Sequence, residues 1–197
     1  MIDQNYRLPS RSGLCRSESV LIVQKYLDAK DWELVKTYVL EENVLQKNSR
    51  STSTRAFSEL LVRLRQLKEH ELVWLVSENA KNQDCLLWIA VCRTYPFVAE
   101  FYQTTIANRL ASDNRKLVKS DFDAFLLDQT KSHEKLLKAS SNSIRIMRGV
   151  VFLLLRDLGV LTRDWELVPL VLSSNFIKQV SDNNSDDLSF LPVAGLV

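Results

Sequence analysis

Six basic residues, Lys47, Arg50, Arg55, Arg63, Arg65 and Lys68, fall between positions 45 and 68 against a single acid, Glu59. They are interleaved with a hydroxyl-rich run, SRSTST over 49–54, that offers several N-caps to a helix expected over 55–67. A helix start presents backbone N–H groups without intrahelical partners, and its dipole favours an anion there. Hydroxyls, amides and guanidinium groups are the set that contacts phosphate oxygens in nucleic-acid complexes. This chemistry singles out Lys47, Arg50, Ser51, Arg55 and Arg63 as candidate DNA contacts, with Arg63 expected on the exposed face of the helix. A second basic stretch, 131–148, sets Lys131, Lys135, Lys138, Arg145 and Arg148 against Glu134. Arg145 and Arg148 are its candidate secondary DNA contacts. Basic helix faces are also commonly just solvated, so both readings stand at this point.

Catalytic signatures are missing. There is no GxGxxG, phosphate-loop or GxSxG pattern, and four glycines in the whole chain cannot build a glycine-rich phosphate cradle. The two histidines, His70 and His133, and the three cysteines, Cys15, Cys85 and Cys92, show no metal-ligand spacing. Cys85 and Cys92 fall in an apolar helix that disfavours a thiolate, so core packing is the expectation for them. Asp121 and Asp123 are read as first-turn acids of a helix capped by Ser120, with Asp123 closing a capping box. Tyr95, Phe97, Phe101 and Tyr102 could stack bases, but at helical spacing they read as core. No catalytic residue, metal, cofactor or small-molecule ligand is expected.

The elements that would carry these residues are helices. Four glycines and four prolines are few for a chain of 197 residues, and sheets built on tight turns need more. Apolar residues recur with helical period over 18–29, 32–42, 55–67, 71–78, 84–95, 97–110, 121–139, 144–158 and 169–180. Ser17, Asp31 and the serines of 140–143 are expected caps, and Gly159 is the expected stop of the 144–158 helix. Gly149 inside that helix calls for a close approach by another backbone. A minor β-hairpin is the most that 160–168 could add. The organisation expected is an all-α fold: an N-terminal arm over 1–14, one compact multi-helix domain over 15–181, and a tail over 182–197.

Net charge is only +2, so any pull on nucleic acid must be local. The longest uncharged stretch, 167–177, is too short to span a bilayer and no membrane partner is expected. Residues 1–14 lack the apolar core of a signal peptide, and an odd set of cysteines suits a reducing compartment. A cytoplasmic location follows as the expectation.

Several stretches, taken in order, resemble the BrxA family of the bacterial BREX bacteriophage-exclusion systems. They are NVLQK (43–47), SRS (49–51), Thr54-Arg55 and ELLVRL (59–64), then LWIAVCRTYPF (87–97) with Glu100-Phe101. DFDAF (121–125), HEKL (133–136), IRIMR (144–148) and LRDLG (155–159) follow. The resemblance implies an all-helical, NusB-like bundle and a non-enzymatic, DNA-binding component of an antiviral defence complex, with double-stranded DNA and other BREX proteins as partners. It carries the site to Lys47, Arg50, Ser51, Arg55 and Arg63. The sequence departs from the family at 140–143, where SSNS stands for a Thr-Lys-type pattern. Three rivals remain open: a protein–protein adaptor within the BREX complex without direct DNA contact, a winged-helix regulator using 144–169 as helix and wing, and an enzyme, which requires a polar pocket with a perturbed titratable pair. The second requires a strand pair near 160–168.

Overall fold

The computed structural model describes residues 7–9 and 12–193, apart from the side chain of Lys135. Most of the expected arm, and the last four residues of the tail, lie outside the described residues. Helices dominate, and the β-structure among the described residues consists of isolated bridges. The chain divides into two compact units, Leu14–Thr94 and the remainder, Met1–Gly13 with Tyr95–Val197.

The Leu14–Thr94 unit contains α1 (Arg16–Ala29), α2 (Trp32–Glu41), α3 (Arg50–Leu64), α4 (Glu69–Ser77) and α5 (Ala80–Thr94). Its centre is α5, buried without interruption from Cys85 to Cys92, as its apolar circumference requires. Asn79 opens this helix by accepting the amides of Lys81 and Asn82 at 3.1 and 3.2 Å. Around α5 pack α1 with Ile22 and Val23, α3 with Phe57, Leu60 and Leu64, and α4 with Leu72 and Leu75, while α2 buries Val35 and Val39 and packs against α1 and α3. Asp31 caps α2 as expected, accepting from the Glu33 amide at 2.8 Å. Ser17 does not cap α1: the helix begins earlier, at Arg16, whose guanidinium donates to Asp84 at 2.6 Å.

The second unit begins with α6 (Pro96–Phe101), a π-helical turn (Tyr102–Ile106) and α7 (Ala107–Leu110). It continues with α8 (Lys119–Gln129), α9 (Glu134–Leu137), α10 (Ser141–Asp157), α11 (Ser174–Asn183) and a 3-10 turn (Ser185–Phe190). Its core is aromatic. Phe97 and Phe101 face Phe122 and Phe125 with ring centroids 5.1–5.7 Å apart, and Phe122 meets Phe152 at 6.0 Å. The Tyr95–Tyr102 aromatics are therefore core and not a base-stacking platform, each at most 1% exposed.

Two local expectations for this unit are corrected. Asp121, not Asp123, closes the capping box of α8 by accepting the Val118 amide at 2.8 Å, so Ser120 lies inside the helix. The helix expected over 121–139 stops at Gln129, where Thr130 turns its hydroxyl onto the Leu127 carbonyl at 2.7 Å. By contrast Ser140 does cap α10, and Gly159 ends it with φ +84°. The tail returns to its unit: Val193 bridges Leu170, and Leu191 is 1% exposed.

Candidate nucleic-acid interface

The α2–α3 connection is shaped by two left-handed residues, Asn43 (φ 45°) and Gln46 (φ 49°). The Asn43 side-chain oxygen accepts the Lys47 amide at 3.0 Å, and Leu45 is buried beneath the loop. This winding delivers Lys47 to the start of α3. Ser49 is the N-cap, accepting the Thr52 amide at 3.3 Å, and its hydroxyl pairs with that of Thr52 at 2.9 Å. The helix thus starts at Arg50, five residues before the expected 55, and Arg50, Ser51 and Arg55 all lie within its first two turns.

Arg50, Ser51 and Arg55 are exposed and Lys47 half-exposed. Among the described residues none of these three cations is held by a carboxylate. The polar face continues through Ser58 to Arg65, both exposed. Ser51, Arg55 and Ser58 follow the i, i+4, i+7 spacing of one helix face. Arg65 was left out of the candidate contacts, although its basic type and its position seven residues beyond Ser58 would have placed it there.

Arg63 is elsewhere. Its side chain is 3% exposed and donates to Glu59 at 3.1 Å, so the expected exposed position is overturned. On the helical wheel it borders Leu60 and Leu64, close enough to the apolar face to be covered once α3 packs. The structure therefore gathers Lys47, Arg50, Ser51 and Arg55 at one helix start and turns Arg63 inward.

In the other unit, Asn142 and Arg145 are exposed on the first turns of α10 and bonded to each other at 2.9 Å. Arg148 instead donates to Asp123 of α8 at 2.7 Å, tying the two helices together. After α10 the chain makes an isolated antiparallel bridge between Leu161 and Leu167, short of the strand pair that a winged-helix arrangement requires. A further bridge joins Lys116 to Glu166, so three extended segments lie side by side. Trp165 (φ 68°) sits at the turn, edge-on to Phe152 at 5.3 Å and beneath the Arg156 guanidinium at 4.6 Å.

Burial, with the neighbouring charge of Asp84, pushes the Cys85 thiol up to about 12. Among the described residues no three His, Cys, Asp or Glu side chains are grouped to hold a metal ion, and no helix is long and apolar enough to cross a membrane.

The fold is similar to the crystal structure of an uncharacterized protein from Magnetospirillum magneticum, with a TM-score of 0.77 and 15% identity. That likeness covers 91% of this chain and 96% of the other, and at such identity it speaks for the fold alone. No curated protein matches in sequence. A profile of the BrxA family matches residues 6–184, most of the sequence. The chain thus belongs to the BrxA family and is a component of a BREX phage-defence system.

Proposed function

We propose that this protein serves BREX defence in the cytoplasm as a non-enzymatic DNA-binding component, holding duplex DNA chiefly through its phosphates. The observation that carries the reading is the start of α3. There Arg50, Ser51 and Arg55 are exposed, the cations have no carboxylate partners among the described residues, and the first amides point out of the helix. A phosphate seated there meets a helix dipole, hydroxyl donors and guanidinium groups together. Lys47 and Arg65 extend the contact on either side. Arg63 is excluded because its charge is buried and answered by Glu59.

Neutralising about four phosphates gives a log K against log salt slope near −4. A gel-shift series between 50 and 200 mM salt measures it. Arg50→Glu and Arg55→Glu are expected each to weaken duplex binding at least tenfold, while Arg148→Glu leaves this contact in place. A pure protein that shifts no duplex at low salt would replace this reading with that of an adaptor docking onto other BREX proteins.

A further inference from the structure

We propose that the outer face of α2 docks a basic, amphipathic segment of another protein of the defence system. The inner side of α2 is set by Val35 and Val39, both buried. Leu34, Thr37, Tyr38 and Glu41 follow the i, i+3, i+4, i+7 spacing of a different face. Leu34, Thr37 and Glu41 are exposed and Tyr38 is half-exposed. At 60%, Leu34 is the most exposed large apolar side chain of the Leu14–Thr94 unit.

One exposed leucine is ordinary on a protein surface. The acids beside it are not. Glu41 is the last residue of α2 and Glu42 its C-cap, and the last turn carries no basic residue. A carboxylate placed there meets the negative end of the helix dipole. Both glutamates are exposed, and among the described residues no cation pairs with either. The fold gains nothing from this pair, whereas a cation arriving from outside would be held by two carboxylates and the helix end together. The cations of the flanks are already engaged, Lys36 by Glu33 at 3.1 Å and Lys25 over the Tyr38 ring at 4.9 Å.

The sign of the charge selects the occupant. Glu41 and Glu42 repel phosphates, so a nucleic acid is the wrong ligand for this face. Two-fold antiparallel packing of α2 on a second copy would set these glutamates against that copy's Asp31 and Glu33, again like on like. A protein segment that lays an apolar side chain on Leu34 and Tyr38 and brings basic residues to Glu41 and Glu42 satisfies both ends of the face. Apolar contact at the centre with charges at the rim is how transient interfaces are built, and the charges give such a contact its choice of partner. Membership of the BrxA family supplies the source of the segment, the other components of the BREX system. Docking here does not depend on α3 binding a duplex.

Calorimetric titration of the full-length protein with each of the other BREX proteins, purified singly, tests the proposal at 50 and 200 mM salt. The variants are Leu34→Ser and the double change Glu41→Lys, Glu42→Lys, with thermal melting to confirm that both are folded. One partner is expected to bind wild type, more weakly at the higher salt. Each variant should weaken that binding at least tenfold while shifting duplex DNA no less than wild type does. Docking on α2 is overturned if none of these proteins binds wild type at 50 mM salt, or if the one that binds holds both variants equally well. Self-association of the pure protein that Leu34→Ser abolishes, seen by sedimentation, would give the face to a second copy and overturn it as well. Failure to shift duplex bears only on the α3 reading, a different result.

Discussion

Glu71 accepts both terminal guanidinium nitrogens of Arg93, at 2.8 and 2.7 Å, while one of its oxygens also takes the Lys68 amide at 2.6 Å. Arg93 in turn donates to the Gln66 carbonyl at 2.7 Å. One carboxylate thereby closes the start of α4, fixes α5, and through Arg93 holds the chain leaving the C-terminal end of α3. Glu71 is 2% exposed and Arg93 15%, so little solvent screens the pair. Glu71→Ala would leave the largely buried Arg93 guanidinium without its carboxylate and remove the acceptor of the Lys68 amide, at about 3–5 kcal/mol. Urea unfolding measures this, and a double Glu71→Met, Arg93→Met protein should recover much of the loss.

Arg63 and Arg65 are two residues apart and should fail differently. Arg63→Ala removes the ion pair with Glu59 and opens space beside Leu60 and Leu64, costing about 1–3 kcal/mol in unfolding experiments. Its DNA affinity, measured where the protein is still folded, should stay near wild type. Arg65→Ala should leave stability within about 0.5 kcal/mol and reduce the salt slope of duplex binding by about one.

The glycines of α10 and of the segment beside it behave oppositely. Gly149→Ala adds helix propensity and meets no neighbour, so it should stabilise by about 1 kcal/mol. That corresponds to a rise of roughly 2–4 °C in melting temperature for a chain of this size. At Gly13 an added Cβ would lie 1.9 Å from an Asp157 carboxylate oxygen and 3.2 Å from Leu153 Cγ. Gly13→Ala should therefore lower the melting temperature.

Thiol labelling separates the cysteines. Cys15 is half-exposed and should react in the native protein, whereas Cys85 and Cys92 are buried and should react only after unfolding. Raising the pH from 7 to 9 should leave Cys85 of the folded protein a thiol, because burial holds its pKa at about 12. The folded value exceeds the unfolded one, so this group's stabilising contribution is complete below the ordinary thiol range and declines as pH rises toward 12. A Cys85→Ala protein should show a shallower loss of stability over that interval.

Periodicity located most of the helices, but it carried 121–139 past the end of α8 at Gln129 and began 169–180 five residues before α11 at Ser174, and several starts depended on what individual hydroxyls do. Asp31 and Ser140 cap as their types suggest. In the SRSTST run only Ser49 caps; Thr54 and later Ser58 bond back to carbonyls one turn earlier, at 2.8 Å each, and so sit inside α3. Sequence cannot distinguish those two uses of a hydroxyl. The phosphate-facing corner was legible because cap chemistry and basic residues are local. The inward turn of Arg63 was not, since it depends on what covers the flank of α3. The face of Leu34, Thr37, Tyr38 and Glu41 was equally hidden, because its exposure is set by packing on the opposite side of α2. The close backbone expected at Gly149 is a correction too: among the described residues nothing lies within 4 Å of a Cβ built there.

The π-helical turn between α6 and α7 holds one residue more than an α-helix would need, with the Ala107 amide reaching back five residues to Tyr102. That surplus residue keeps Ile106 and Leu110 facing inward, at 0% and 6% exposure. Helix interiors normally forbid single-residue deletions, which swing every following side chain through about 100°. Here, removing the exposed Thr104 would convert the turn to ordinary α-helix and leave both ends in phase. The chain carries at this point a spare link that can be cut out without disturbing its neighbours.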